Sequence, residues 1–138
     1  PDPNVLVGTW RLERAIADDM TGRTGTLTGH ARFHLQDGCL NYHEQGILRF
    51  PGQMPVTATR RYIWKIAPDR IHVLFDDGRL FHDFARRDQA PSATHHCPPD
   101  VYQVTYDFGF VSRWHSVWIV RGPRKGYRMT SHYSQRTT

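Results

Sequence analysis

Four residues carry the most pointed chemistry in this chain: Arg14, Glu44, Arg60 and His82. Each alternates with apolar or aromatic residues, in Trp10-x-Leu12-x-Arg14-x-Ile16, Leu40-x-Tyr42-x-Glu44, Arg60-x-Tyr62-x-Trp64 and His82-x-Phe84. An unpaired charge on such a face costs on the order of several kcal/mol, so it must find a partner or a ligand. Two arrangements are open. Glu44 could bridge Arg14 and Arg60 in a structural network that Tyr42 and Tyr62 support. Alternatively, one glutamate against two arginines leaves a guanidinium over, and guanidinium suits a carboxylate or phosphate. Glu44 with His82 or Asp100 could further serve as an acid–base pair, whereas His82 alone reads more readily as a satisfied core histidine than as a ligand or base.

Other groups carry weaker signals. His95, His96 and Cys97, with Asp100 and His82, are ligand types that zinc or iron accepts. Their spacing matches no zinc-finger interval, so no metal or other cofactor is expected. Cys97 beside His96 is the one local nucleophile–base pair, but adjacent residues rarely face each other productively. The other histidines (His30, His34, His43, His72, His115, His132) fall mostly on outward positions. Trp114, Ser116, Trp118 and Val120 share a face, as core or as an aromatic wall. Gly122-Pro123-Arg124-Lys125-Gly126 is basic but lacks phosphate-loop spacing and reads as a hairpin turn.

The elements that must position these residues are strands. Period-two alternation with β-branched and aromatic residues runs through the chain, and turn signals recur. Strands are predicted over 5–16, 26–35, 39–50, 56–66, 70–76, 79–86, 101–108, 113–121 and 126–134. Such a meander of about nine strands escapes exposed edges best by closing into an antiparallel up-and-down β-barrel. Asp77-Gly78 is a favoured two-residue turn, which pairs Phe75 with Leu80, Val73 with His82 and Ile71 with Phe84 on one inward face. Gly29 and Ala31 leave room inside or permit a sharp bend. The stretch 88–99 reads as a long loop, a possible cover for a site.

Composition sets the frame. The 138 residues, 12% of them aromatic, suit one globular domain spanning 1–138. No apolar run is long enough for a transmembrane helix, and Pro1 to Asn4 do not resemble a signal peptide. The chain lacks an initiator Met, so prior trimming stays open. The 18 basic residues include Lys65 and Lys125 as the only lysines and are scattered, which argues against nucleic acid. Cys39 and Cys97 do not make a disulfide framework; two free thiols suit the cytoplasm.

Gly8-Thr9-Trp10 resembles the first-strand Gly-x-Trp of lipocalin, fatty-acid-binding and related calycin barrels. In that class the tryptophan packs near an arginine of the last strands, which implies Arg121, Arg124 or Arg128 here. The whole chain also resembles an uncharacterised bacterial calycin-like family. The segments that carry this are Gly8-Thr9-Trp10-Arg11-Leu12-Glu13-Arg14, Tyr42-His43-Glu44-Gln45-Gly46, Arg61-Tyr62-Ile63-Trp64, Asp77-Gly78-Arg79-Leu80-Phe81-His82 and Gly122-Pro123-Arg124-Lys125. The chain departs from fatty-acid-binding proteins in two places. Residues 17–25 are too few for their helical lid, and its Arg-x-Tyr (Arg60-Arg61-Tyr62) lies in a middle strand rather than the last. Haem-binding barrels of this class use a C-terminal histidine, for which His132 is the nearest match.

Together these readings point to a barrel that binds a small, partly apolar, anionic molecule. Trp10, Tyr42, Tyr62, Trp64, Phe84 and Trp118 would supply walls and Arg14, Glu44, Arg60 and His82 the polar contacts. No nucleic-acid or membrane partner is expected. The alternatives are an enzyme using Glu44 and His82 in the same cavity, and a filled barrel serving as an interaction module.

Overall fold

Alternation of inward apolar and outward polar residues produces a 10-stranded antiparallel sheet in the computed structural model, which describes residues 1–110 and 112–135. A one-turn helix α1 (Pro3–Leu6) comes first, its open N–H end capped by the Asp2 side chain. The strands are β1 (Gly8–Asp18), β2 (Thr24–Gln36), β3 (Cys39–Arg49), β4 (Val56–Ile66) and β5 (Arg70–Phe75). They continue with β6 (Leu80–Ala85), β7 (Ser92–Cys97), β8 (Asp100–Phe110), β9 (Arg113–Arg121) and β10 (Gly126–Gln135). Spatial order is β6-β5-β4-β3-β2-β1-β10-β9-β8-β7. Every strand therefore neighbours its sequence neighbour, and β1 pairs with β10 from Trp10↔Gln135 to Asp18↔Tyr127. The result is a nearly closed up-and-down barrel. Only the β6–β7 junction lacks a ladder among the described residues; there the Phe81 and His95 rings meet edge to face, with centroids 5.1 Å apart.

The strand readings hold with three corrections. Residues 5–6 belong to α1 rather than to the first strand. The expected 88–99 loop contains β7, which pairs with β8 from Ser92↔Thr105 to Cys97↔Asp100. Ser-Ala-Thr-His-His-Cys has almost no apolar alternation because β7 is a short edge strand with little to bury. The third correction is the tip of the β5–β6 hairpin. Phe75 N–H donates to Arg79 O (2.8 Å) and Gly78 N–H to Phe75 O (2.9 Å), so the loop has three residues, with Gly78 at φ 91°. A bulge then shifts the register: Leu74 pairs with Leu80, yet Val73 still pairs with His82 and Ile71 with Phe84. Phe81 is the extra residue. It and His82 both turn inward, while Leu80 stays outside at 53% exposure.

One end of the barrel is filled by large aromatic rings, with a concavity of about 220 Å³ between α1, Trp10 and Phe108. Trp10, Phe33, Trp64, Phe84 and Trp114 are all buried there. Their rings meet mostly edge to face, as in Phe33 on Trp64 (4.9 Å) and Trp10 on Trp114 (6.2 Å). Burying each such side chain contributes about 1.5–3 kcal/mol. The Trp10 indole N–H donates to Leu6 O (2.8 Å), which fastens α1 to this end. Arg121, Arg124 and Arg128 do not pack on Trp10. Trp10 pairs with Gln135, whereas Arg128 pairs with Ala17 and the 122–125 turn lies at the opposite end.

Candidate functional site

Arg14 and Glu44 meet across β2. Between them β2 presents Gly29 and Ala31, which leave the interior clear. A Cβ on Gly29 would collide with the backbone of Gln45 and Gly46, so the same glycine also allows β2 and β3 to approach closely. The guanidinium donates to both carboxylate oxygens, Nη1 to Oε2 at 2.8 Å and Nη2 to Oε1 at 2.9 Å, and its Nε donates to Ser131 Oγ at 2.7 Å. The Tyr42 hydroxyl donates to Glu44 Oε1 (2.6 Å) and lies 2.9 Å from the Tyr133 hydroxyl, which donates in turn. Arg14 is 7% exposed and Glu44 2%. Burial alone would raise the Glu44 carboxyl, but the hydrogen bonds from Arg14 and Tyr42 prevail and hold it below the usual carboxylate range. Burial likewise opposes charge on Arg14, and the bonds to Glu44 prevail there too. Every strong group in this network is thus occupied from within.

Arg60 stands apart. It pairs with Glu44 in the β3–β4 ladder, yet Glu44 binds Arg14 instead. The alternation puts Arg60 on an inward position, but its side chain is exposed, because the position lies near the barrel rim. Among the described residues it belongs to none of the ion pairs. Beneath it, Tyr62, Phe75, Phe81, His95, Cys97 and Trp118 line a chamber of about 250 Å³ at the rim. Several of these rings pack on one another: Phe81 stacks on Trp118 (5.0 Å, 11°) and on Phe75 (4.5 Å, 21°). Arg60, Tyr62, Phe81, Trp118 and Met129 also border a smaller pit of about 40 Å³ that runs down to Glu44, His82 and Tyr106.

His82 forms part of the pit wall at 4% exposure. Its Nε2 lies 2.9 Å from the Tyr106 hydroxyl, and its Nδ1 has no partner. Burial drives the imidazole down to about 3, so it is neutral near pH 7. Burial also raises the phenols of Tyr42, Tyr106 and Tyr133, which stay protonated.

The structure therefore brings Arg14, Tyr42, Glu44, Arg60, Tyr62, His82 and Trp118 around one continuous space. Trp64 also borders the pit, whereas Phe84 and Trp10 belong to the packed end. Asp100 lies off it, 3.5 Å from the Lys125 ammonium. With both its oxygens engaged and its pKa lowered, Glu44 is poorly placed to exchange protons with His82. His95 and Cys97 face the chamber, while His96 points outward by strand alternation, and no described group of three or more ligand residues could hold a metal ion. His132 sits on the outer surface beside His115, with ring centroids 5.5 Å apart. Cys39 and Cys97 are free, at opposite ends of the barrel. Reading single strand faces misses Phe81, Tyr106, Ser131 and Tyr133. The last two alternate with Met129 in β10, which is a usable signal; Phe81 depends on the bulge and has none. A larger concavity, about 650 Å³, is an outer groove where Ala15, Ala17, Thr24 and Thr26 leave a depression beside residues 49–55. It contains no buried charge. No described helix is long and apolar enough to cross a membrane.

Comparison with known proteins supplies a family and an architecture. A family model described as a family of unknown function, DUF6314, matches residues 6–135. No curated protein matches the chain. Among solved structures, the S-type phycobiliprotein lyase CPES from Guillardia theta is similar over 98% of this chain and 90% of its own, with a TM-score of 0.68 at 8% identity. A redesigned β-barrel, mFAP1, bound to DFHBI is similar over 96% of each chain, with a TM-score of 0.47 at 14% identity.

Proposed function

The chain belongs to the DUF6314 family of unknown function, and for it we propose the binding of a small, partly apolar anion in the rim chamber. One observation carries this reading: Arg60 is a guanidinium without an ion-pair partner among the described residues, at the mouth of an aromatic-walled space. The other interior arginine is fully engaged, so Arg60 is the group whose charge a ligand would answer. The chamber lies just below the range of roughly 300–1,000 Å³ typical of drug-sized ligands, which favours a molecule of one or two rings. The likeness to the phycobiliprotein lyase contributes the barrel architecture to this reading.

Trp118 lies in the chamber, so its fluorescence reports occupancy. We expect titration with 1-naphthoate to change that emission, and the neutral isostere 1-naphthalenemethanol to bind at least about tenfold more weakly. Arg60→Ala should erase the difference. Equal binding of the two probes, or unchanged naphthoate binding in Arg60→Ala, would overturn the reading.

A further inference from the structure

The pit under the chamber is built around a group the fold leaves unused. His82 is buried, packed between Phe84 and Trp118, and holds one hydrogen bond, between its Nε2 and the Tyr106 hydroxyl. Tyr106 is buried as well, and His82 is its hydroxyl's hydrogen-bond partner. Either tautomer leaves one buried donor unpaired, but a phenol O–H is a stronger donor than a neutral imidazole N–H, and an imidazole nitrogen is a stronger acceptor than a phenol oxygen. The hydroxyl therefore donates, Nε2 accepts, and the imidazole proton sits on Nδ1. This tautomer is assigned from donor and acceptor strength. It leaves Nδ1–H as a buried donor with no acceptor, on a ring that lines the pit. The bulge between β5 and β6 produces this placement: by making Phe81 the extra residue it turns two consecutive side chains inward, Phe81 as chamber floor and His82 below it.

Arg60 borders the same pit from above. A ligand whose anionic group meets Arg60 at the rim and whose ring packs beside Tyr62, Trp118 and Met129 would direct its far end toward His82. That end must accept a hydrogen bond. It must also be small, since the pit holds about 40 Å³, room for a group of about three heavy atoms. A charged group is disfavoured there because the imidazole is neutral and the Arg14 charge is already balanced by Glu44.

Resting on the anion-binding reading above, we propose that His82 Nδ1–H selects the ligand: a flat aromatic acid that carries a neutral carbonyl oxygen at the end opposite its carboxylate. His82 then acts as a specificity-determining donor, and Tyr106 as a positioning residue that fixes its tautomer.

The test compares two probes of matched shape, 4-acetylbenzoate with the acceptor and 4-isopropylbenzoate without it, against the intact protein and its His82→Phe, His82→Gln and Arg60→Ala variants. The unmodified protein should bind the acetyl probe about tenfold more tightly, the worth of one buried hydrogen bond. His82→Phe should abolish that preference, and His82→Gln, which keeps an N–H, should restore part of it. In parallel, the imidazole ¹⁵N spectrum should show a protonated Nδ1 that shifts with 4-acetylbenzoate and not with 4-isopropylbenzoate, a readout that needs no variant to fold. If both probes bind alike and both weaken in Arg60→Ala, the carbonyl proposal is overturned and the anion site stands. If neither probe binds, or Arg60→Ala changes nothing, both fail together.

Discussion

The two ends of this barrel use the same kinds of residue and reach opposite states. Near α1, Trp10, Phe33, Trp64, Phe84 and Trp114 close on one another, and Trp10 is tied to Leu6. Near the 76–79 and 98–99 turns, Tyr62, Phe75, Phe81 and Trp118 stand around open space. The interior also has two arginines on inward strand positions. The deep one, Arg14, is held by a carboxylate and a serine; the shallow one, Arg60, is not. Aromatic side chains thus serve both ends, and both arginines share the inward strand face. Depth along the barrel axis separates a core from a wall, and a structural charge from one available to a ligand.

The largest test of that division is Glu44→Ala. It leaves the Arg14 charge buried without its partner, and urea denaturation should show a loss of about 3–5 kcal/mol. Arg60→Ala, one strand away, should leave the unfolding midpoint where it is; a comparable loss in both would erase the distinction between the two arginines. Trp10→Ala should likewise cost about 3–5 kcal/mol, whereas Phe75→Ala, at the half-buried rim, should cost no more than about 2 kcal/mol.

A pH series sharpens the comparison. The folded His82 is lowered by burial from 6.5 to about 3. As pH falls below 6.5 the unfolded chain takes up the proton first, so the contribution is complete above 6.5 and lost toward 3. The slope is about 1.4 kcal/mol per pH unit at most. Glu44, also lowered, adds to the loss only below its unfolded value near 4.5. His82→Phe should flatten the upper part of this window and leave only the Glu44 contribution in the lower part. An unchanged slope between pH 6.5 and 4.5 would show that the imidazole is not desolvated. The smallest effect is expected at Leu80→Gln: the side chain faces outward beyond the bulge, so the change should stay within about 0.5 kcal/mol.

Much of this architecture is legible in the residue pattern, and the exceptions share a cause. Alternation locates nine of the strands in order because each carries an apolar face that must be buried, and it marks Arg14, Glu44 and His82 as inward for the same reason. It misses β7, which has little to bury, and the inward turn of Phe81, which comes from a register shift that no single strand records. It places Arg60 on the correct face without its depth, since a period of two carries no coordinate along the barrel axis. It also misses Tyr106, Ser131 and Tyr133 as partners, because their contacts join strands far apart in sequence.

The ladder between β1 and β10 has a further consequence, for the time the barrel takes to form. Trp10 pairs with Gln135, so closure must bring together segments separated by nearly the whole described chain before either gains from the contact. Such non-local pairing places folding in the millisecond-to-second range rather than the microseconds of helical bundles. Until that ladder zips, the Arg14 guanidinium lacks Ser131, the Tyr42 hydroxyl lacks Tyr133, and the polar network at the heart of the interior is only half assembled.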